Sequence, residues 1–180
     1  MPTLDELKSL LNDDTKDLRL NLGNVLEQGD LDQQERYAIA LCSAVFLQER
    51  ELAEALIQQA GTNLSPEAIA DAKAAAAIMG MNTVFYRFRH MIGKESYAQR
   101  PAGLRMSRMA KPAVSKKLFE MCSMACAVLA GCEMCIRAHE TSLLHEEVTE
   151  DRVNQVVRIA AVVQGFVVAV GAARVQGAAG

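Results

Sequence analysis

The segment that most constrains the fold is residues 67 to 79, EAIADAKAAAAIM, in which more than half of the residues are alanine. Alanine is the strongest helix former, and its small side chain leaves room for close contact between helices. Only 4% of the residues are aromatic and there is no Trp, so the core must consist of Ala, Val, Leu, Ile and Met. These residues favour packed helices over sheets, and no parallel-sheet pattern occurs. We therefore predict an all-α fold.

The length of 180 residues predicts a single domain, residues 1–180, and the 51% hydrophobic content allows a sizeable core. The net charge of -3 gives no electrostatic footprint for nucleic acid or an anionic membrane. The N-terminus lacks the apolar run of a secretory signal. The longest apolar stretch, about 159–173, is interrupted by Gln164 and is too short to span a bilayer. We expect a soluble, cytoplasmic protein without nucleic-acid or membrane partners.

Capping residues and apolar spacing divide the chain into helices. Thr3 with Glu6 forms a predicted capping box, and Ser65 before Pro66 is a second predicted start. The predicted helical segments are one from residue 4, 14–27, one or two from about 33 to 60, 67–79, and 150–173 after a cap at Thr149. The last segment is apolar on all sides, which is typical of a core helix or an oligomer interface. A Gly-Ala-rich tail is expected to fray.

Two segments in the middle of the chain have more than one interpretation. Residues 80–93 alternate aromatic rings with Arg87, Arg89 and His90. We predict a helix that buries its rings and turns its guanidinium groups to solvent or to a neighbouring subunit; nucleic-acid binding is the alternative. Residues 94–114 are predicted to form a long, solvated basic loop, and a docking surface for an acidic partner is the alternative.

A shift of 84 residues brings two parts of the chain, about 30–93 and 114–177, into partial register. Under this shift Cys132, Cys135 and His139 fall on residues without redox chemistry, namely Gln48, Glu51 and Ala55. The sequence thus predicts a duplicated helical unit with chemistry in the second copy only. Chance similarity between two Ala/Val-rich helices is the alternative.

The chemistry is concentrated in residues 120–139, EMCSMACAVLAGCEMCIRAH, which hold four of the five cysteines. Cys132 and Cys135 lie on one helix face and within reach of each other if Cys132 is at a helix start. Gly131 is suited to a break there. A thiol at a helix N-terminus faces the positive end of the helix dipole, which favours the thiolate.

Two further residues complete a candidate redox site. His139 lies one turn beyond Cys135 and can take a thiol proton, and Glu120 is a candidate to orient that imidazole. The four side chains can form a thiolate, make a mixed disulfide and resolve it. Four cysteines could instead hold zinc or an iron–sulfur cluster. However, Cys122 and Cys126 lie amid apolar residues, so we expect these two and Cys42 to be buried hydrophobes and expect no metal. His90 and His145 are expected to lie outside the site.

The run Glu120…Cys132-Glu-Met-Cys135-Ile-Arg-Ala-His139-Glu140 resembles the signature of the alkyl hydroperoxide reductase D (AhpD) family, part of the group that includes carboxymuconolactone decarboxylases. The resemblance extends over nearly the whole chain, through its length, alanine-rich helices, duplicated halves and apolar last helix. The phrase Met106-Ser-Arg-Met-Ala-Lys-Pro is similar to the family's loop before the active helix.

This resemblance implies an all-helical, trimeric antioxidant enzyme with no bound cofactor. Such an enzyme accepts electrons from the dihydrolipoyl group of a lipoyl-bearing protein, reduces a peroxiredoxin partner, and acts weakly on organic hydroperoxides. Cys135 would attack the peroxide or partner, through a sulfenic acid or an interchain disulfide. Cys132 would be the proton donor and resolving thiol, giving a Cys132–Cys135 disulfide, and Glu120 and His139 would form the proton relay.

One departure from the family pattern concerns Met134, because members often have His at that position between the two cysteines. A thioether cannot shuttle protons, so either that His is dispensable or the relay runs through His139 alone. Two other functions compete. A decarboxylase needs an acid/base site and has no use for the CxxC pair, and a metal-stabilised helical interaction protein needs no catalysis.

Overall fold

The computed structural model describes residues 1–175 and contains ten α-helices and two short 3-10 turns, with no strand in this part of the chain. This confirms the all-α prediction. The Gly-Ala-rich end of the chain, residues 176–180, lies outside the described residues. The helices are α1 (Leu4–Ser9), α2 (Lys16–Glu27), α3 (Gln33–Phe46), α4 (Arg50–Ala60), α5 (Pro66–Ile92), α6 (Glu95–Ala98), α7 (Ser107–Ala110), α8 (Lys116–Leu129), α9 (Glu133–His145) and α10 (Glu150–Arg174).

Capping side chains mark the starts of five of the ten described α-helices, including the predicted caps at Thr3, Asp32, Ser65 and Thr149. The Thr3 hydroxyl accepts from the Glu6 backbone N–H, and the Glu6 carboxylate accepts from the Thr3 backbone N–H at 2.7 Å. Asp32 forms the same reciprocal box before α3. Ser65 and Thr149 each accept one backbone N–H from the first turn that follows them. These bonds satisfy amide groups that a helix start leaves without partners.

Helices α3 and α8 form the centre of the core. They are buried over residues 37–44 and 118–127, and α5 and α10 pack against both of them. Many of the side chains between α3 and α8 are small, which allows close approach: Cys42 Sγ lies 3.3 Å from Cys126 Sγ. The outer helices α4, α9 and α2 pack on α3, α8 and α10, respectively. The redox segment is therefore held by the most buried part of the molecule.

The helix bounds follow the predicted repeat with one adjustment. Gln33 and Lys116 begin α3 and α8, 83 positions apart, and the same spacing separates the starts of α4 and α9. The starts of α5 and α10 are 84 positions apart. One extra residue therefore lies between the starts of α9 and α10, and Glu49, rather than Gln48, stands at the position of Cys132. The duplication itself stays a prediction, with which these bounds agree.

The segments before α3 and α8 are anchored in equivalent ways. The fully buried Asp71 carboxylate on α5 accepts from the backbone N–H groups of Ala113 and Val114, at 2.9 and 2.8 Å. The Gln155 side-chain carbonyl on α10 accepts from the corresponding N–H groups of Asp30 and Leu31, at 2.9 and 3.3 Å. Asp71 also accepts from Arg108 Nε at 2.8 Å. Helix α5 thus fixes the segment that leads into α8, and α10 fixes the segment that leads into α3.

The middle of the chain differs from the prediction in two respects. Residues 94–114 are not a continuous loop, because they contain α6 and α7 and are tied to Asp71 by Arg108 and the two amides. Helix α5 continues without a break through the aromatic residues, but it does not bury their rings. Phe88 is 47% exposed and Phe85 is half-buried, with the Arg89 guanidinium 4.6 Å from the Phe85 ring centroid. The prediction of buried rings was wrong, and the same end of α5 also exposes the apolar side chains of Val84, Met91 and Ile92.

Helix α10 has 25 residues and is longer than the apolar stretch considered from the sequence. By length and composition alone it could cross a membrane, with a mean hydropathy of 2.0 over its most apolar window. It nevertheless packs on α2, α3 and α8, and Val156, Val163 and Phe166 on it are fully buried. A core helix meets the same two criteria, and we assign α10 to the core.

Candidate active site

A sharp turn between α8 and α9 positions the cysteine pair. Gly131 adopts the left-handed conformation with φ 62°. The Gly131 N–H donates to the Val128 carbonyl at 3.0 Å and the Cys132 N–H donates to the Ala127 carbonyl at 3.1 Å. These two bonds form a Schellman motif, which ends α8. Cys132 is at once the last residue of this motif and the N-cap of α9. The predicted break before Cys132 is confirmed.

Cys132 and Cys135 are joined by a disulfide, with their Cα atoms 5.3 Å apart. Cys132 is fully buried and Cys135 is 5% exposed. Both lie in the cap and first turn of α9, where the positive end of the helix dipole and free amide groups favour negative charge. After reduction of this bond, the helix N-terminus would favour the thiolate form of the pair, whereas the burial of both residues would oppose it.

Glu120 and His139 meet at the interface between α8 and α9. Glu120 Oε2 lies 2.7 Å from His139 Nδ1, and both residues are at least nine-tenths buried. An ionised carboxylate only accepts hydrogen bonds, so Nδ1 carries the proton of the neutral imidazole. The other ring nitrogen, Nε2, is then free to accept a proton from a thiol. The carboxylate also stabilises the imidazolium that results.

A largely apolar cavity of ≈ 330 Å³ adjoins the disulfide. Cys135 and His139 both line it, so the two predicted functional groups face the same space. Its remaining lining residues come from α5, α7, the residue before α7, and α9: Met79, Asn82, Tyr86, Met106, Met109, Met134 and Ala138. The site therefore offers a redox sulfur, a proton acceptor and an apolar wall in one cavity. Met134 is 37% exposed and forms part of that wall.

Several lining residues were not predicted from the sequence. Met79 and Tyr86 lie on α5, and Met109 lies in the 94–114 segment, so only the tertiary fold brings them to the cysteines. For Asn82 the sequence does contain an indication of a special role. Asparagine is a poor helix former, and in the middle of a long helix it has no capping role. Ser123, one turn after Glu120 on α8, is also buried, and its hydroxyl has no partner among residues 1–175.

Two contacts tie α5 to the turn that carries the cysteines. Arg87 donates to the Ala130 carbonyl at 2.7 Å, and His90 Nε2 lies 3.2 Å from a Glu133 carboxylate oxygen. Hydrogen bonding to Arg137 is the main cause of a lowered pKa at Glu133, and the charge of His90 acts in the same direction. His90 is thus half-exposed beside the turn and outside the cavity lining. His145 is exposed at the end of α9.

Cys42, Cys122 and Cys126 are buried free thiols, as predicted. Burial raises the pKa of the Cys42 thiol well above its ordinary value. A hydrogen bond with Cys42, together with burial, raises the pKa of Cys122 in the same way. The Cys42 and Cys122 thiols therefore remain protonated and unreactive near neutral pH. Within residues 1–175, no group of three or more His, Cys, Asp or Glu side chains could hold a metal ion.

A second, larger cavity of ≈ 500 Å³ lies between α2 and α10. Its lining is more polar and includes Asn21, Asn24 and Arg158. It shares no lining residue with the cavity beside the disulfide and contains none of the predicted site residues. We therefore assign the candidate active site to the smaller cavity, where the reactive groups converge.

Comparison with known proteins agrees with this architecture. Residues 95–176 match the carboxymuconolactone decarboxylase family, which is the broader class of protein. The matched region includes the whole of α8 and α9. Full-length similarity is more specific. Proteins named alkyl hydroperoxide reductase AhpD match at 43% identity over 93% of this chain and 90% of the relative from Anaeromyxobacter sp. (strain K). The identity is 44%, over 89% and 91%, for Streptomyces avermitilis, and 41%, over 96% and 97%, for Methylocella silvestris. The chain belongs to the AhpD family.

Proposed function

We propose that the protein is a thiol–disulfide oxidoreductase that reduces organic hydroperoxides and regenerates a peroxiredoxin, using electrons from a dihydrolipoyl group. The observation that carries this proposal is the convergence of the Cys132–Cys135 disulfide and the Glu120–His139 pair on one apolar cavity. The names of the full-length relatives support an activity on alkyl hydroperoxides.

The oxidised state of the pair is the starting point of the reductive half-reaction. A dihydrolipoyl thiolate attacks Cys135 Sγ, the sulfur that lines the cavity, and Cys132 leaves as a thiolate. The second lipoyl thiol then displaces Cys135, forming the lipoyl disulfide. Two electrons pass from the donor to the cysteine pair, and the donor's two protons remain as the Cys132 thiol and a proton on the His139 imidazole.

In the oxidative half-reaction the Cys135 thiolate attacks the terminal oxygen of the hydroperoxide. The S–O bond forms as the O–O bond breaks, and the alkoxide takes the proton of the Cys132 thiol and leaves as an alcohol. The Cys132 thiolate then attacks the Cys135 sulfenic acid. The disulfide forms again, and the departing hydroxide takes a proton from His139 to give water.

The same two thiols can reduce a partner protein by disulfide exchange. Cys135 would attack the partner disulfide and form an interchain disulfide, and Cys132 would resolve it. We assign this role to a peroxiredoxin and the electron supply to a lipoyl-bearing protein in the cytoplasm. A homotrimer is part of the same proposal, and elution of the native protein at a monomer's volume in sizing chromatography would contradict it.

Met134 limits how the proton relay can run. It stands between the two cysteines, lines the cavity and has no titratable group. The relay is therefore assigned to His139, whose Nδ1 is held by Glu120 and whose Nε2 is left to exchange protons. On this assignment the relay has one imidazole, positioned by one buried carboxylate.

A reconstituted assay tests the proposal. The protein, dihydrolipoamide, a bacterial peroxiredoxin of the alkyl hydroperoxide reductase system and cumene hydroperoxide are combined, and alcohol formation is measured. We expect turnover that needs all four components beyond a weak direct rate. We also expect Cys132→Ser to accumulate a disulfide-linked complex with the peroxiredoxin, whereas Cys42→Ser, which removes a buried thiol away from the cavity, does not. Failure to consume dihydrolipoamide in the complete mixture would contradict the proposal.

A further inference from the structure

Asn82 is a buried polar residue in the wall of the cavity beside the disulfide. It lies in the middle of α5 and is 5% exposed. Its Nδ2 donates to Met106 Sδ at 3.0 Å, a weak acceptor, and its Oδ1 has no hydrogen-bond partner in the described part of the chain. Asn82 lines the same cavity as Cys135 and His139, and its Oδ1 is itself buried beneath the cavity surface.

An unpaired amide oxygen in the protein interior costs folding free energy, so its presence calls for a reason. Local helix structure supplies none, because Asn82 caps no helix end and is a poor helix former. The neighbouring residue Thr83 shows the usual solution: it is also buried, and its hydroxyl donates to the Met79 carbonyl at 2.7 Å. Asn82 differs from Thr83 in facing a cavity.

The rest of the cavity wall indicates what kind of ligand Asn82 would meet. Four methionines and Ala138 make the wall predominantly apolar. Methionine side chains are flexible and polarisable and adapt to apolar groups of different shape. A pocket with an apolar wall and a few polar groups at one place binds an apolar molecule by its polar end. Here the polar or reactive groups of the lining are those of Asn82, Tyr86, Cys135 and His139.

We propose that Asn82 binds the hydroperoxide group of the substrate. Binding moves the flexible Met106 side chain aside and exposes Oδ1, which accepts a hydrogen bond from the terminal O–H, while the organic substituent lies against Met79, Met106 and Met109. This inference rests on the proposed function, in which the Cys135 thiolate attacks that terminal oxygen.

The hydrogen bond fits the reaction at each step. Before attack it directs the terminal oxygen towards Cys135 Sγ. As the S–O bond forms and the O–O bond breaks, the same O–H becomes that of the sulfenic acid and can stay bonded to Asn82, so no rearrangement is needed. An uncharged amide also leaves the thiolate unopposed, whereas a carboxylate at this position would repel it.

The test compares Asn82→Leu, which keeps a similar volume and removes the amide, with Thr83→Val, which removes a neighbouring buried hydroxyl away from the cavity. We expect Asn82→Leu to lower kcat/KM for cumene hydroperoxide by about tenfold, the effect of losing one hydrogen bond to the reacting group. The rate at which dihydrolipoamide reduces the Cys132–Cys135 disulfide should not change. The melting temperature should not fall, because an unpaired buried group is removed. Thr83→Val should leave kcat/KM unchanged.

A binding measurement gives a readout that does not depend on turnover. The product alcohol, 2-phenyl-2-propanol, is titrated into protein labelled with ¹³C at the methionine methyl groups. We expect shifts of the methyl signals of Met79, Met106 and Met109, with those of Met121 and Met124, which do not line the cavity, unaffected. The dissociation constant should rise in Asn82→Leu by about the same factor as kcat/KM falls.

The outcomes separate this inference from the function on which it rests. If the wild-type protein reduces cumene hydroperoxide and Asn82→Leu does so equally well, the role of Asn82 is wrong and the proposed function stands. A fall in kcat/KM that is matched by a lower melting temperature and slower disulfide reduction would make Asn82 a structural residue and overturn the inference. If the wild-type protein reduces no hydroperoxide, the proposed function fails and this inference fails with it.

Discussion

The α3–α4 turn and the α8–α9 turn have the same backbone and different chemistry. In each turn, a Schellman motif ends the preceding helix. The motif is built around a residue with positive φ, which is 61° at Gln48 and 62° at Gly131. The residues that follow, Glu49 and Cys132, have nearly the same φ and ψ, −91° and 85° against −92° and 91°. The two turns therefore share one backbone position for Glu49 and Cys132, and the chemistry depends on the side chain placed there.

The side chains at equivalent positions show what the first unit lacks. Leu52 and Leu56 stand where the second unit has Cys135 and His139, and both are buried in the core. Tyr37 stands where the second unit has Glu120, so the first unit has no carboxylate–imidazole pair at this place. The first unit stabilises the fold by packing, and the second uses the same frame to hold reactive groups.

The largest expected effect comes from making the second turn as unreactive as the first. Cys135→Ser should lower hydroperoxide reduction by at least about a thousandfold, because it removes the sulfur to which we assign the attack on the peroxide. The measurement is alcohol formation in the complete reconstituted assay. Cys126→Ser is the matched control, since it removes a thiol from α8 outside the cavity and should leave turnover nearly unchanged. Wild-type turnover in Cys135→Ser would refute the assignment of Cys135.

The second effect concerns the carboxylate that the first unit lacks. Glu120→Gln keeps the shape and an acceptor oxygen but removes the charge that stabilises the His139 imidazolium. We expect alkylation of reduced Cys135 by iodoacetamide at pH 7 to slow by about ten- to a hundredfold. Glu140→Gln, next to His139 on the same helix, is the control. An unchanged alkylation rate across the pH range would show that Glu120 takes no part in the relay.

Features that depend on neighbouring residues in the chain were predictable from the sequence. The caps at Thr3, Ser65 and Thr149, and the break at Gly131, each need only a few adjacent residues, and all four are present as predicted. Spacing to the CxxC pair brought Glu120 and His139 into one hypothesis, and the two side chains do meet where α8 packs on α9.

Features that depend on distant contacts were not predictable. The anchoring of residues 106–114 requires Asp71, about forty positions earlier in the chain, and no local pattern indicates it. The exposed rings near the end of α5 depend on which helices pack there, which spacing does not reveal. The cavity likewise collects Met79, Met106 and Met134 from three separate segments, and only the tertiary fold brings them together.

A third comparison uses the two anchors that fix the entries of α3 and α8. Asp71→Ala removes a buried, charged acceptor that serves two backbone N–H groups and Arg108, and should lower the unfolding free energy by about 2–4 kcal/mol. Gln155→Ala removes a neutral, half-buried acceptor and should cost about 0.5–1.5 kcal/mol. Urea denaturation of the two variants measures the difference.

Asp71→Asn sharpens this comparison, because it replaces the charged anchor with a neutral one like that of the first unit. The unfolding free energy that Asp71→Asn loses should lie between the losses of the two alanine variants, since one acceptor oxygen remains. If Asp71→Ala and Gln155→Ala lose equal amounts of unfolding free energy, the charge and the burial of Asp71 contribute no extra stability.

The smallest expected effect comes from exchanging the residue with positive φ in each turn, Gln48 in the first and Gly131 in the second. Gly131 adopts φ 62° without strain, and no described atom beyond its chain neighbours lies within 4 Å of where a Cβ would be. Gly131→Ala should therefore cost only the conformational penalty of a side chain in this region, about 1–2 kcal/mol. Gln48 already carries that penalty in the first turn, so Gln48→Gly should raise stability by about 0.5–1 kcal/mol, less than the full penalty because glycine also loosens the unfolded chain.

Thermal unfolding of these two variants measures both changes, since 1 kcal/mol corresponds to a shift of about 2–4 °C for a domain of this size. Both variants should keep the Cys132–Cys135 disulfide, because the Schellman hydrogen bonds of each turn use only backbone groups. A loss of disulfide formation in Gly131→Ala would mean that the turn tolerates glycine alone. The presence of Gln48 at the equivalent place argues against that outcome: the same turn already accommodates a full side chain in the unit that does no chemistry, and what the second unit gains from Gly131 is lower strain beside its reactive thiol.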